Sequence, residues 1–253
     1  MAFIDMRLHS NTLKKAEEVY MVMPENAAGK VPVLYLLHGL SDDCSIWMRR
    51  TSIERYVREM ELAVVMPNGG RSFYTDMQNG ENYFTYIKDE LPTKLSSMFN
   101  ISQKREDTYI AGLSMGGYGA FKLALSDPGK FSLAASLSGA VDIVSISNRF
   151  SAYNEEGKRE FEVMFGDMNN LSGSKHDLFY LLEKNINQGV QLPYLYQCCG
   201  TEDYLYQDNI KFRDFAVSKG VQLDYEEGPG EHSWDFWDKW IQNVLERIKK
   251  LHK

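Results

Sequence analysis

The sequence predicts a single α/β domain: a mostly parallel sheet with helices on both faces. Three observations predict it. Short apolar segments rich in β-branched residues recur along the chain, separated by helix-compatible stretches. One strand–turn–helix unit centres on Gly112-Leu113-Ser114-Met115-Gly116-Gly117. The 253 residues suit one domain with a sizeable core, and no linker or repeat divides them.

The elements follow in order. Residues 2–9 and 16–23 alternate like two antiparallel strands, and 31–37 begin the parallel core. Ser45 to Met60 reads as a helix and Leu62 to Met66 as the next strand. Asn82 to Phe99 is helical in pattern, with Pro92 marking a boundary or kink because it lacks a backbone N–H. Asp107 to Ala111 reads as a buried strand, Tyr118 to Leu125 as a helix, and Leu133 to Leu137 as another strand. Residues 191–199 and 221–226 supply the last two strands, and Trp234 to Lys250 a closing amphipathic helix. Such alternation favours a parallel sheet covered on both faces. Between about 140 and 190 the rhythm lapses into a polar, helix-prone insertion. The insertion is expected to help cap a substrate pocket, the alternative being that its aromatics, Phe150, Tyr153, Phe161, Phe165, Phe179 and Tyr180, simply anchor it to the body.

Glycines around Ser114 permit the sharp reversal that lifts a serine hydroxyl above the end of a sheet, the G-x-S-x-G elbow. A serine nucleophile needs a base, and the base needs a carboxylate to orient it. In this arrangement they follow in the order Ser, Asp or Glu, His. His176, His232 and His252 come after Ser114. His252 belongs to a frayed terminus, and His176 to a polar run that reads as a loop or helix start. His232 lies in the loop Glu226 to Trp234, between a strand and an aromatic helix, and is the candidate base. Asp203, directly after the strand Leu192 to Cys199, is the candidate acid, with Glu202 and Asp208 as alternatives.

The negative charge developing on a carbonyl oxygen needs N–H donors. One is expected from Met115, after the nucleophile, and the other from Leu40 in His38-Gly39-Leu40-Ser41. His38 is expected to be structural. Trp47 and Trp234 are candidates to line the cleft, or to pack.

A net charge of −7 argues against a nucleic-acid partner. No segment approaches the roughly 20 apolar residues of a membrane span, so no membrane partner is expected. The N-terminus lacks a signal-peptide core, and an intracellular, cytoplasmic protein is expected. The three cysteines make no disulfide framework. Metal-ligand spacing is absent, and so is the lysine of a phosphate-binding loop, hence neither metal nor cofactor is expected.

His38-Gly39-Leu40, Trp47, Met66-Pro67-Asn68-Gly69-Gly70, the Ser114 elbow, Gly200-Thr201-Glu202-Asp203 and Gly230-Glu231-His232 occur in one order. Together they resemble the esterase D group of α/β-hydrolases, most of all its bacterial tributyrin esterase branch. The resemblance implies a serine carboxylesterase acting on small, short-chain acyl esters, with Ser114, Asp203 and His232 catalytic and Leu40 and Met115 as donors. It alone implies that Tyr74 and Asp76 lie near the pocket, and it is compatible with a homo-oligomer. Feruloyl or acetylxylan esters, and thioesters such as S-formylglutathione, are the alternative substrates within this resemblance. A reading from another class is a catalytically inert α/β-hydrolase that binds a ligand or partner, since function resides in the site.

Overall fold

Strands β1 (Ala2–Ser10) and β2 (Lys15–Met23) pair antiparallel, Ala2 opposite Met23 and Ser10 opposite Lys15. They form one edge of an eight-stranded sheet in a computed structural model that describes residues 1–252, the side chain of Tyr153 apart. The remaining strands are β3 (Val33–Leu37), β4 (Ala63–Pro67), β5 (Thr108–Leu113), β6 (Leu133–Leu137), β7 (Tyr194–Gly200) and β8 (Leu223–Gly228). Their order is β1-β2-β4-β3-β5-β6-β7-β8; β2 meets β4 antiparallel, and every later pairing is parallel.

The parallel strands read as unbroken apolar runs because both faces are buried. In β3, Val33, Tyr35 and Leu37 enter one core while Leu34 and Leu36 enter the other. Helices α1 (Ile46–Arg50) and α2 (Ile53–Val57) cover that second face. A C-terminal helix, numbered last below, joins them through Phe236, Trp240, Ile241 and Val244. The first face receives α3 (Tyr83–Thr85), a π-helical turn (Tyr86–Glu90), α4 (Leu91–Met98) and α5 (Met115–Ser126). The insertion folds as α6 (Ile143–Tyr153), α7 (Glu155–Phe165) and α8 (Leu178–Asn187), followed later by α9 (Tyr206–Ser218) and α10 (Trp234–Leu251). No described helix is long and apolar enough to cross a membrane.

Three elements differ from expectation. The helix predicted over 45–60 is two helices, because the Thr51 hydroxyl donates to the Trp47 carbonyl at 2.6 Å and accepts the Ile53 N–H at 3.1 Å. That side chain competes with the helical ladder and ends one helix as the next begins. Ahead of Pro92 the ladder widens into the π turn, and the Lys88 carbonyl, which proline cannot bond, is taken by the Lys130 ammonium. Helix α9 was not expected. Its buried face includes Asp208 and Asn209 beside Phe212 and Ala216, so apolar periodicity is weak there.

Strand order reverses at β3, which has β4 on one side and β5 on the other. The carboxyl ends of β3 and β5 therefore flank a switch point, where α/β sheets place their ligands.

Candidate active site

Ser114 leaves β5 with φ 52° and ψ −117°, a conformation that non-glycine residues rarely adopt. Its backbone is held from both sides. The Ser114 N–H donates to the Leu137 carbonyl at 2.9 Å, and its own carbonyl accepts from Ala140 at 3.0 Å and Tyr118 at 3.1 Å. A Cβ at Gly112 would strike the Gly116 carbonyl, and one at Gly116 would lie 2.5 Å from the Leu37 oxygen. The elbow closes because both positions are glycine.

The loop after β8 brings His232 to this serine. Its Nε2 lies 2.9 Å from Ser114 Oγ, and its Nδ1 lies 2.8 Å from Asp203 Oδ2. An ionised carboxylate only accepts, so Nδ1 carries the hydrogen and Nε2 presents its lone pair to the serine hydroxyl. The Asp203 side chain is fully buried, and its Oδ1 accepts the Leu205 N–H at 2.8 Å. Tyr204 lies tilted against one side of the His232 ring, centroids 4.6 Å apart, and Trp237 meets it edge-on at 4.8 Å. This array can pass a proton from Ser114 to His232 and back.

The alternative acids are engaged elsewhere. Glu202 accepts the Gly230 N–H at 2.6 Å and the Thr201 hydroxyl at 2.8 Å, tying the Asp203 loop to the His232 loop. Asp208 is ion-paired with Arg149. His252 ends α10 beside Tyr109, and His176 packs against Lys122 and Thr75, away from Ser114.

Leu40 and Met115 both line the space in front of Ser114. Among the described residues, neither backbone N–H has an acceptor within the chain. Buried His38 shapes the Leu40 loop: its Nδ1 donates to the Gly39 carbonyl at 2.7 Å and its Nε2 accepts the Gly69 N–H at 2.8 Å. Burial holds its pKa below the ordinary value, in keeping with that neutral tautomer.

Two pocket expectations need correction, and Trp47 takes the packing alternative. Tyr74 is fully buried beneath the loop, where its hydroxyl donates to the His38 carbonyl at 3.0 Å. Asp76 accepts the Thr85 N–H at 2.9 Å and hydroxyl at 2.7 Å, and it faces a separate cavity. Trp47 is also fully buried, with its indole N–H on the Leu37 carbonyl at 3.1 Å. All three satisfy polar groups of the framework. Trp234 does line a cavity beside Ser114, edge-on to Trp47.

Two cavities meet at Ser114, sharing Leu40 and Tyr204 as walls. One, of about 740 Å³, is apolar and bounded by Phe73, Ile146, Phe150 and Leu205. The other, of about 610 Å³, contains His232 with Asp42, Arg50 and Asp235. From the insertion, Phe150 reaches the apolar cavity, while Phe161 and Phe165 anchor behind it against Phe73, at 5.5 and 5.9 Å. Phe179 packs on Phe212 and Tyr180 is exposed; the Tyr153 side chain lies outside the described residues.

Sequence reasoning missed Phe73, Ile146, Arg149 and Tyr204 as walls of these cavities. Tyr204 had a signal, its place next to Asp203. Phe73 had none, since its left-handed backbone at φ 48° is visible only in the structure.

The family described as "Putative esterase" matches residues 10–248. An acetyl esterase from Caldicellulosiruptor saccharolyticus is 34% identical over 269 aligned residues, covering 99% of each chain. A substrate-bound structure of FphF, a fluorophosphonate-binding serine hydrolase of Staphylococcus aureus, superposes with a TM-score of 0.90 at 36% identity over 98% of each chain. An S-formylglutathione hydrolase (FrmB) from Staphylococcus aureus gives a TM-score of 0.88, also at 36% identity over 98% of each chain.

Proposed function

Because the chain belongs to this esterase family, we propose that it is a serine carboxylesterase cleaving small, short-chain acyl esters through an acyl-serine intermediate. The observation that carries this reading is the run Asp203–His232–Ser114, at 2.8 and 2.9 Å, beside two N–H groups that lack acceptors.

In this mechanism Ser114 Oγ attacks the ester carbonyl carbon while His232 Nε2 takes its proton. Asp203 holds the imidazole in the required tautomer and stabilises the imidazolium. The oxyanion is received by the Leu40 and Met115 N–H groups; removing one such donor typically lowers turnover by about 10²–10³. His232 then gives its proton to the departing oxygen, and the alcohol leaves. Water, deprotonated by the same nitrogen, attacks the acyl-serine and releases the acid.

The two cavities divide the substrate. The leaving oxygen must face His232, so the polar cavity takes the alcohol side and the apolar cavity takes the acyl chain. The tributyrin esterase branch accords with this assignment, since a butyryl chain is short and apolar.

A second reading is a thioesterase acting on S-formylglutathione. It is favoured by the likeness to the staphylococcal enzyme and by Asp42, Arg50 and Asp235, which suit a charged, peptide-like leaving group.

A panel of p-nitrophenyl acetate, butyrate and octanoate, a feruloyl ester and S-formylglutathione tests both readings. The highest kcat/KM is expected on acetyl or butyryl esters, and a clear preference for the thioester would replace the first reading with the second. Ser114→Ala is expected to lower turnover by roughly 10⁴-fold or more and to abolish fluorophosphonate labelling. Undiminished hydrolysis in that variant would overturn the mechanism.

A further inference from the structure

A third cavity, of about 410 Å³, shares no lining residue with the two at Ser114. It lies two turns further along α5, where Lys122 projects into it. Lys122 is only 3% exposed, and its Nζ lies 3.1 Å from His176 Nδ1. The faces of Phe84 and Tyr118 lie 5.6 and 5.5 Å from the ammonium. Among the described residues Lys122 makes no ion pair. The nearby carboxylate, Asp76, is committed to the N–H and hydroxyl of Thr85.

The rim adds positive charge. Lys175 and Lys184 line the same cavity from exposed positions, and neither has an ion-pair partner among the described residues. The groups facing Lys122 are thus Tyr118 on its own helix, Asp76 and His176 from two loops, and the two rim lysines. Phe84, Leu125 and Leu181 give the rest of the wall an apolar part, beside the polar Thr75, Ser126, Asn185 and Gln188.

A buried ammonium without a counter-charge is costly, and the group either loses its proton or gains an anion. Without an anion the first outcome holds: burial and Lys175 drive the Lys122 pKa well below its ordinary value. Burial, Lys122 and Lys175 likewise drive His176 down to about 3, so its imidazole is neutral and accepts at Nδ1. An entering anion supplies what the cavity lacks.

We propose that this cavity binds a small organic carboxylate, its acid group read by Lys122, Lys175 and Lys184 and its apolar body seated against Phe84, Leu125 and Leu181. Binding then returns a proton to Lys122, which distinguishes the site from mere attraction to surface lysines.

Isothermal titration of the whole protein with benzoate, at about pH 8 in buffers of different ionisation enthalpy, measures affinity and proton uptake together. Saturable binding with net proton uptake is expected. Lys122→Met should weaken binding at least about tenfold and abolish the uptake. The exposed pair Lys175→Gln and Lys184→Gln, which leaves the core untouched, should weaken it about threefold to tenfold. Absence of binding to the unmodified protein, binding without proton uptake, or undiminished affinity in either variant would overturn the proposal. Because the readout is binding, its failure is separable from failure of the esterase reading.

Discussion

Asp203 holds His232 through Nδ1 at 2.8 Å, while Asp208, five residues on, is turned away and paired with Arg149. The two aspartates therefore make a matched pair of probes. Asp203→Asn is expected to lower kcat by about 10⁴ by stabilising the wrong imidazole tautomer. Asp208→Asn breaks an ion pair at the wall of the apolar cavity and should leave kcat within about tenfold. Steady-state kinetics on one short-chain ester decides between them, and a reversed order would move the acid to Asp208.

The apolar cavity sets acyl length if Ile146 and Phe150 are its walls. Ile146→Trp fills that space beside Ser114. Hydrolysis of an acetyl ester should change by less than about threefold, while an octanoyl ester should lose about tenfold or more in kcat/KM. Equal losses on both esters would remove the cavity from acyl recognition.

Lys122→Met should stabilise the fold. The native lysine has a pKa depressed by burial, so its protonated unfolded form is increasingly favoured as the pH falls below the ordinary 10.5. Methionine keeps most of the side-chain length and removes the ionisable amine. Urea unfolding at neutral pH should show a gain of about 1–3 kcal/mol. That gain should shrink as the pH approaches the ordinary lysine value.

Glu90 behaves oppositely. Burial alone would raise its pKa, but hydrogen bonds from Thr12 and Ser10 and the Thr12 and Asn11 N–H groups bring it down to about 2. A carboxylate depressed in this way contributes stability that is complete above its ordinary 4.5 and lost as the pH falls through about 2. Because Glu90 clamps the turn between β1 and β2 to the segment before α4, Glu90→Gln should destabilise by about 1–3 kcal/mol at neutral pH. Thermal unfolding across the acid range should show a flatter profile for the variant than for the native chain.

Much of this architecture was legible because local chemistry and global fold agree. β3, β5 and β6 are short apolar runs, and a strand buried on both faces can look like little else. Ser114, His232 and Asp203, singled out by the order in which a strand-end site presents its groups, come together in the fold. The walls of the cavities were not legible, because they depend on how the insertion folds back. Ile146, Arg149 and Tyr204 carry no local pattern that marks them. Tyr74, expected near the pocket from the family resemblance alone, turns inward to the His38 carbonyl, and Trp47 packs with its indole N–H on the Leu37 carbonyl of β3. α9 was hidden by Asp208 and Asn209 on its buried face, where an apolar rhythm would have announced a helix.

Ser114 stands where two cavities meet, so under the proposed mechanism the halves of a cleaved ester would part in different directions. The alcohol would depart past His232 while the acyl chain stayed among apolar side chains. Water would then enter the volume that the alcohol vacated, because that is where His232 could take its proton. A polyol or thiol present in excess would compete with water for the same space, and where it won the acyl group would pass to it as a new ester or thioester. On that mechanism the balance between hydrolysis and synthesis would be set by what occupies one polar chamber during the lifetime of the acyl-serine.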